Sequence, residues 1–138
     1  MQLLKDVMKR DVHVISPDAT LMEAAALMRD DDFGMLPVGE NDRMIGTLTD
    51  RDIAIRAVAE GMGCDTLVRE VMSDEVIWCY EDDTVEEGAE KMSESQVRRL
   101  PVVSREKRLV GIVSLGDFAV DADDIQATAD ALVAISRP

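Results

Sequence analysis

Gly46-Thr47-Leu48-Thr49-Asp50-Arg51-Asp52-Ile53 returns sixty-five positions later as Gly111-Ile112-Val113-Ser114-Leu115-Gly116-Asp117-Phe118. Each block sets a glycine three residues before a hydroxyl side chain, and an aspartate three residues after it. Working outward, Leu36-Pro37-Val38 recurs as Leu100-Pro101-Val102, Met28 as Met92, and Asp18-Ala19-Thr20-Leu21 as Asp82-Asp83-Thr84-Val85. Leu3-Leu4-Lys5-Asp6-Val7-Met8 recurs as Leu67-Val68-Arg69-Glu70-Val71-Met72. These outer matches sit sixty-four apart, so the second copy carries one extra residue in a turn, where insertions are tolerated. A constant order at near-constant spacing is the mark of an internal duplication.

Both copies predict the same elements. A short helix around Val7-Met8 or Val71-Met72 leads into an extended stretch, Val12 to Ile15 or Val76 to Cys79. Thr20-x-x-Glu23 and Thr84-x-x-Glu87 read as capping boxes, in which hydroxyl and carboxylate satisfy the first free N–H groups of a helix. The helix that follows has one apolar stripe, Leu21, Ala24, Ala25 and Met28, matched by Val85, Gly88, Ala89 and Met92. Two strands come next, Met35–Val38 with Met44–Leu48 and Leu100–Val103 with Leu109–Val113, and a closing helix starts at Thr49 or Ser114. The result is an α/β chain of two β-α-β-β-α repeats, residues 1–63 and 64–121, each too small to bury a comfortable core alone. A helical tail, 122–138, spaces Ile125, Ala129, Leu132 and Ile135 as an apolar face, preceded by the acids Asp121, Asp123 and Asp124. It either closes the core or packs on a second subunit.

Composition excludes several function classes. Twenty-nine acids against fifteen Lys and Arg give a net charge of −14, which argues against nucleic-acid binding and against docking on anionic membranes. Apolar runs are too short for a transmembrane helix, and Met1–Asp11 lacks the apolar stretch of a secretion signal, so a cytoplasmic protein is expected. Cys64 and Cys79, fifteen apart with no C-x-x-C, read as free thiols, and the lone His13 has no partner for a zinc set. His13 reads as a polar residue on a half-buried strand, and Trp78 as a core or interface residue. The runs Asp30–Asp32 and Glu81–Asp83 read as solvated surface, and the nine methionines as adaptable packing. No phosphate-binding loop, nucleophile elbow or Cys–His constellation is present, so no enzyme is expected and no metal site is assigned.

The repeated Gly-x-x-[Ser/Thr]-x-x-Asp block, with the Leu-Pro-Val ahead of it, resembles a tandem pair of CBS (cystathionine β-synthase) domains, or Bateman module. The likeness runs from about Leu3 to Val120, and the absence of a fused enzyme makes the chain similar to stand-alone bacterial CBS-pair proteins. It implies two repeats related by a pseudo-two-fold axis in one module, homodimers, and a regulatory, signal-transducing role toward a protein target that the sequence does not name. It also implies an adenosine-containing ligand held non-covalently between the repeats, with the Asp on the ribose.

On spacing alone, Thr49-x-x-Asp52 and Ser114-x-x-Asp117 are also capping boxes, and that reading stands beside the ligand one. A strand that ends at a helix start presents N–H groups to an anion, and a carboxylate there can accept both ribose hydroxyls. Arg98-Arg99 precede the second Leu-Pro, where phosphate-binding members of the family are often basic; the first copy has Gly34-Met35 instead. By resemblance each cleft is composite. One joins Val76, Ile77, Val97, Arg98 and Arg99 to Thr49 and Asp52, and suits AMP, ADP or ATP, with Mg²⁺ accompanying the phosphates. The other joins Val12, His13, Phe33, Gly34 and Met35 to Ser114 and Asp117, with Ile112 on the strand before them. Lacking arginines, it suits S-adenosylmethionine or stays empty. A ligand-free scaffold is the remaining alternative.

Overall fold

The computed structural model describes residues 2–41, 43–121 and 125–137. In chain order the elements are α1 (Leu4–Val7), α2 (Leu21–Asp31), β1 (Met35–Glu40), β2 (Arg43–Thr49), α3 (Asp50–Asp52), β3 (Cys79–Tyr80), α4 (Val85–Ser95), β4 (Arg99–Val103), β5 (Leu109–Ser114), α5 (Leu115–Asp121) and α6 (Ile125–Ser136). After α3 the helix continues as a π segment, Ile53–Ala57, and a 3-10 turn, Val58–Glu60, which stops at Gly61 with φ 77°. A second 3-10 turn spans Val68–Glu70. The long capped helices and the paired strands of each repeat are present, those strands one or two residues longer than expected. The leading segments differ: 12–15 forms no strand and contributes only the Ile15 bridge to Val38, the stretch 76–79 is strand only from Cys79, and the short helix expected around Val71-Met72 is the 3-10 turn.

The chain divides into two compact units that do not coincide with the sequence repeats. One, the first-repeat unit, is His13–Val76; the other, the second-repeat unit, combines residues 1–12 with 77–138. Each repeat's leading segment thus completes the other repeat. Leu67 bridges Thr20, and Ser73 exchanges two hydrogen bonds with Thr47 (2.9 and 3.0 Å), so residues 66–73 belong to the first-repeat unit. Leu3 bridges Thr84, and Lys9 exchanges two bonds of 2.9 Å with Ile112, so residues 3–9 belong to the second.

In the first-repeat unit β1 and β2 form an antiparallel hairpin with Met35 opposite Thr49, and Ile15 adds a parallel bridge to Val38. Its core gathers Ile15, Leu21, Ala24, Met28, Leu36, Val38, Leu48, Val68 and Val71. In the second-repeat unit β3 pairs parallel with β4, and β4 antiparallel with β5, placing Arg99 opposite Ser114. Its core gathers Leu4, Val7, Met8, Val85, Ala89, Met92, Leu100, Val102, Val113, Phe118 and Ala131.

Two expected apolar faces change. Ala25 is exposed while its counterpart Ala89 is buried, because α6 packs against α4. Among the described side chains of α6, which do not include that of Ile125, the buried residues are Thr128 and Ala131, with Ala127 and Ile135 packed beside them; Ala129 and Leu132, both expected inside, are exposed. The tail therefore closes the second-repeat core through a face one residue round from the expected one. Of the expected acid cluster, Asp123 and Asp124 lie outside the described residues, and so does the side chain of Asp121.

Cys64 is exposed and Cys79 buried, both as free thiols. Burial first, then the nearby Asp83 carboxylate, pushes the Cys79 thiol up to about 11. The thiolate is the reactive form, so iodoacetamide at pH 8 is expected to modify one thiol, Cys64, in the native protein and both in urea. Mass spectrometry that finds Cys79 alkylated as fast as Cys64 before unfolding would refute this burial.

Candidate functional site

Each unit builds the same local device at a strand end. Thr49 Oγ1 accepts the Asp52 N–H at 3.0 Å, and Asp52 Oδ2 accepts the Thr49 N–H at 3.0 Å. Ser114 Oγ accepts the Asp117 N–H at 3.0 Å, and Asp117 Oδ2 accepts the Ser114 N–H at 2.9 Å. Both are closed capping boxes, so the spacing is explained structurally without a ligand. The cap also fixes the position of each carboxylate, uses Oδ2 alone, and leaves Oδ1 outside the box. All four side chains are half-buried.

The strand before Leu-Pro is pinned to this helix start. The Gly34 carbonyl accepts the Asp50 N–H at 2.9 Å, and the Arg98 carbonyl accepts the Leu115 N–H at 2.8 Å. Within the second-repeat unit Arg98 and Arg99 therefore stand beside Ser114 and Asp117, with Arg98 exposed and Arg99 half-buried. Guanidinium groups next to a helix start are suited to an anion, by charge and by bidentate geometry. Grouping these arginines with Thr49 and Asp52, as expected from the sequence, takes residues from both units.

In the first-repeat unit Met35, opposite Thr49, is buried, and Phe33 and Gly34 are half-buried. His13 is exposed and lies outside any strand, which corrects its expected setting. Its Nδ1 contacts the half-buried Asp31 carboxylate at the end of α2. Asp31 was legible only as one of three surface acids, since its pairing joins residues eighteen apart across the fold.

The other predicted residues lie against the second-repeat core or where the units divide. Ile77 and Val97 lie against the second-repeat core, and Ile112 is buried with its backbone bonded to Lys9. Val12 and Val76, both half-buried, are the residues at which the units divide. Trp78 meets the Tyr80 ring edge-on at 4.9 Å, and the Arg105 guanidinium sits 4.1 Å above Tyr80. Arg105 also pairs with Asp82 at 2.8 Å, holding that carboxyl below its ordinary range, so part of the 81–83 acid run is stapled to the β4–β5 turn. A separate cleft of about 250 Å³ is lined by Trp78, Asp83, Glu87, Glu90, Lys91 and Glu94; its acidity does not suit a phosphate, and none of the predicted ligand residues lines it. Among the described residues no group of three or more His, Cys, Asp or Glu could hold a metal ion, and no helix is long and apolar enough to cross a membrane.

Comparison with known proteins places this architecture. The chain is 42% identical over 137 residues to the CBS domain-containing protein YhcV of Bacillus subtilis, covering 99% of this chain and 97% of that one. It is 40% identical over 121 residues to hypoxic response protein 1 of Mycobacterium tuberculosis, covering 86% and 84%. It superposes with a TM-score of 0.79 on the CBS domain pair of protein MJ0100, solved with 5′-methylthioadenosine and S-adenosyl-L-methionine, at 30% identity over 86% of this chain and 94% of that one. The CBS domain profile matches twice, at residues 4–58 and 68–120, and the chain belongs to the CBS-domain family as a tandem pair.

Proposed function

We propose that this CBS pair is a cytoplasmic, homodimeric sensor that binds AMP, ADP or ATP through Arg98, Arg99, Ser114 and Asp117 and passes the binding state to a protein target. The observation that carries this reading is the β4–β5 register, which sets Arg99 opposite Ser114 at a helix start. Phosphate, with any accompanying Mg²⁺, sits at the guanidinium groups, the ribose hydroxyls donate to Asp117 Oδ1, and adenine packs against Ile77 and Val97. Ligand biases the protein toward the conformation it binds better, and the target reads that shift.

The first-repeat unit supports a second ligand. It has no arginine at Gly34-Met35, and Asp31 and Asp52 add negative charge, so a neutral or cationic adenosine compound such as S-adenosylmethionine fits its chemistry.

Thermal unfolding with AMP, ADP, ATP, S-adenosylmethionine and 5′-methylthioadenosine tests both. A ligand at about a hundred times its dissociation constant stabilises by roughly 2.7 kcal/mol, several degrees in a chain of this size. The expected result is a nucleotide shift lost in Arg99→Ala and Asp117→Asn and kept in Asp52→Asn. Loss in Asp52→Asn instead assigns the ribose to the other box. No shift with any compound leaves the boxes as caps only, and the protein as a scaffold.

A further inference from the structure

Of the methionines among the described residues, Met8, Met28, Met35 and Met92 are buried, and Met44 and Met72 are half-buried. Met22 and Met62 alone are exposed, at 62% and 41%. Cys64 is the exposed one of the two cysteines. The first-repeat unit gathers these three sulfur-bearing residues at one corner, where the linker between repeats crosses the start of α2. Adaptable core packing accounts for the other methionines; it does not account for this pair.

Backbone hydrogen bonds hold the corner together. The Met22 N–H donates to the Cys64 carbonyl at 3.1 Å, and the Leu21 N–H to the Thr66 carbonyl at 2.9 Å. The first turn of α2 thus fastens the linker with N–H groups that the helix itself leaves unsatisfied. Met62 precedes Cys64 by two residues, a span of at most about 7 Å between Cα atoms. Its own N–H donates to the Ala57 carbonyl at 2.9 Å, so the linker is anchored on both sides of Gly63. The methionine side chain is unbranched, with three rotatable bonds, and reaches the thiol from either anchor. A Cβ on Gly63 would stand 3.0 Å from Asp65 Oδ1, so a carboxylate lies over the same turn.

We propose that Met22, Met62 and Cys64 form a binding site for a soft monovalent metal ion, Cu(I). Thiolate and thioether donors select Cu(I), whereas carboxylate and carbonyl donors suit Mg²⁺, Ca²⁺ and Mn²⁺. Among the described residues no three His, Cys, Asp or Glu come together, so the harder ions lack a donor set, and methionine sulfur completes one for copper. Cys64 binds as the thiolate and gives its proton to solvent; the copper stays Cu(I), and no electron is transferred. The thiolate and the Asp65 carboxylate balance the charge of the ion. The site lies within the first-repeat unit and shares no residue with the nucleotide site proposed above, so it stands apart from that reading.

Anaerobic titration of the reduced full chain with Cu(I), in competition with the chromophoric chelator bicinchoninate, tests this. Wild type is expected to hold one equivalent. Methionine to leucine keeps size and apolar character and removes only the sulfur, and all three positions are exposed, so circular dichroism should show each variant folded. Met22→Leu and Met62→Leu are each expected to weaken binding about tenfold, and Cys64→Ser about a hundredfold or more. X-ray absorption at the copper edge is the second readout, with three sulfur neighbours in wild type and one fewer in each variant. Methionine variants that hold copper as tightly as wild type reduce the site to a bare thiol and overturn the inference. So does a wild type that yields all its copper to the chelator, or one whose copper has nitrogen or oxygen neighbours in place of the methionine sulfurs.

Discussion

Replacing Gly46 or Gly111 by alanine is expected to destabilise the unit that contains it by about 2–3 kcal/mol, the range of an overpacked core. A Cβ on Gly46 would stand 2.5 Å from the Ser73 carbonyl oxygen, and one on Gly111 would stand 2.7 Å from the Lys9 carbonyl oxygen and 2.6 Å from the Met8 sulfur. The carbonyl oxygens belong to backbone that is itself hydrogen-bonded to the strand, so relief requires the leading segment to move away. Its bonds go with it: Ser73 to Thr47, and Lys9 to Ile112. Hydrogen exchange is the sensitive readout. The amides of Thr47 and Ser73 should lose protection in Gly46→Ala, and those of Lys9 and Ile112 in Gly111→Ala. Gly116→Ala is the control, since its Cβ meets nothing closer than Ser114 Oγ at 3.6 Å. On a helix that substitution should be neutral or gain up to about 1 kcal/mol. Equal losses at Gly116 and Gly111 would refute the close-approach account.

Phe118→Ala carries the largest expected loss, about 3–5 kcal/mol. Phe118 is 1% exposed, and in the second-repeat core it gathers with Leu4, Met92, Leu100 and Val113. The fit is close: a Cβ on Gly88 would come within 2.8 Å of Leu4 and 3.3 Å of the Phe118 ring. Removing the ring leaves a cavity beside Leu4 of α1 and Gly88 of α4. Against a total of about 5–15 kcal/mol for a domain, the unit should lie near its unfolding midpoint in dilute urea. Ile53, its equivalent in the first repeat, is only half-buried, so Ile53→Ala should cost distinctly less. The check is urea unfolding, comparing midpoints at unchanged slope. Equal losses at the two positions would show that the cores are more alike than their burial indicates.

The two glycines show what was legible and what was not. Their recurrence marks the duplication, but the reason for them, a leading segment laid against the strand, needs tertiary contacts. The same holds for His13, whose partner Asp31 has no local signal, and for Ala25 and Ala89, which occupy the same stripe position and differ only because α6 covers one of them. The π segment at Ile53–Ala57 is likewise invisible in the apolar spacing. At the candidate site both boxes and both arginines were identifiable from residue type and spacing, whereas the β4–β5 register was needed to set Arg99 beside Ser114.

Residue type and spacing alone established the long helices, the strand pairs, the caps and the asymmetry between Arg98-Arg99 and Gly34-Met35. Those properties depend on residues a few positions apart, where helical and strand periods and capping chemistry act directly. Which repeat each leading segment completes depends on contacts distant in sequence. Leu3–Met8 and Leu67–Met72 present the same apolar spacing, so either could fill either groove, and no local preference distinguishes them. The choice is made by long-range pairing, Lys9 with Ile112 and Ser73 with Thr47, and it turns a tandem repeat into two units that each borrow from the other.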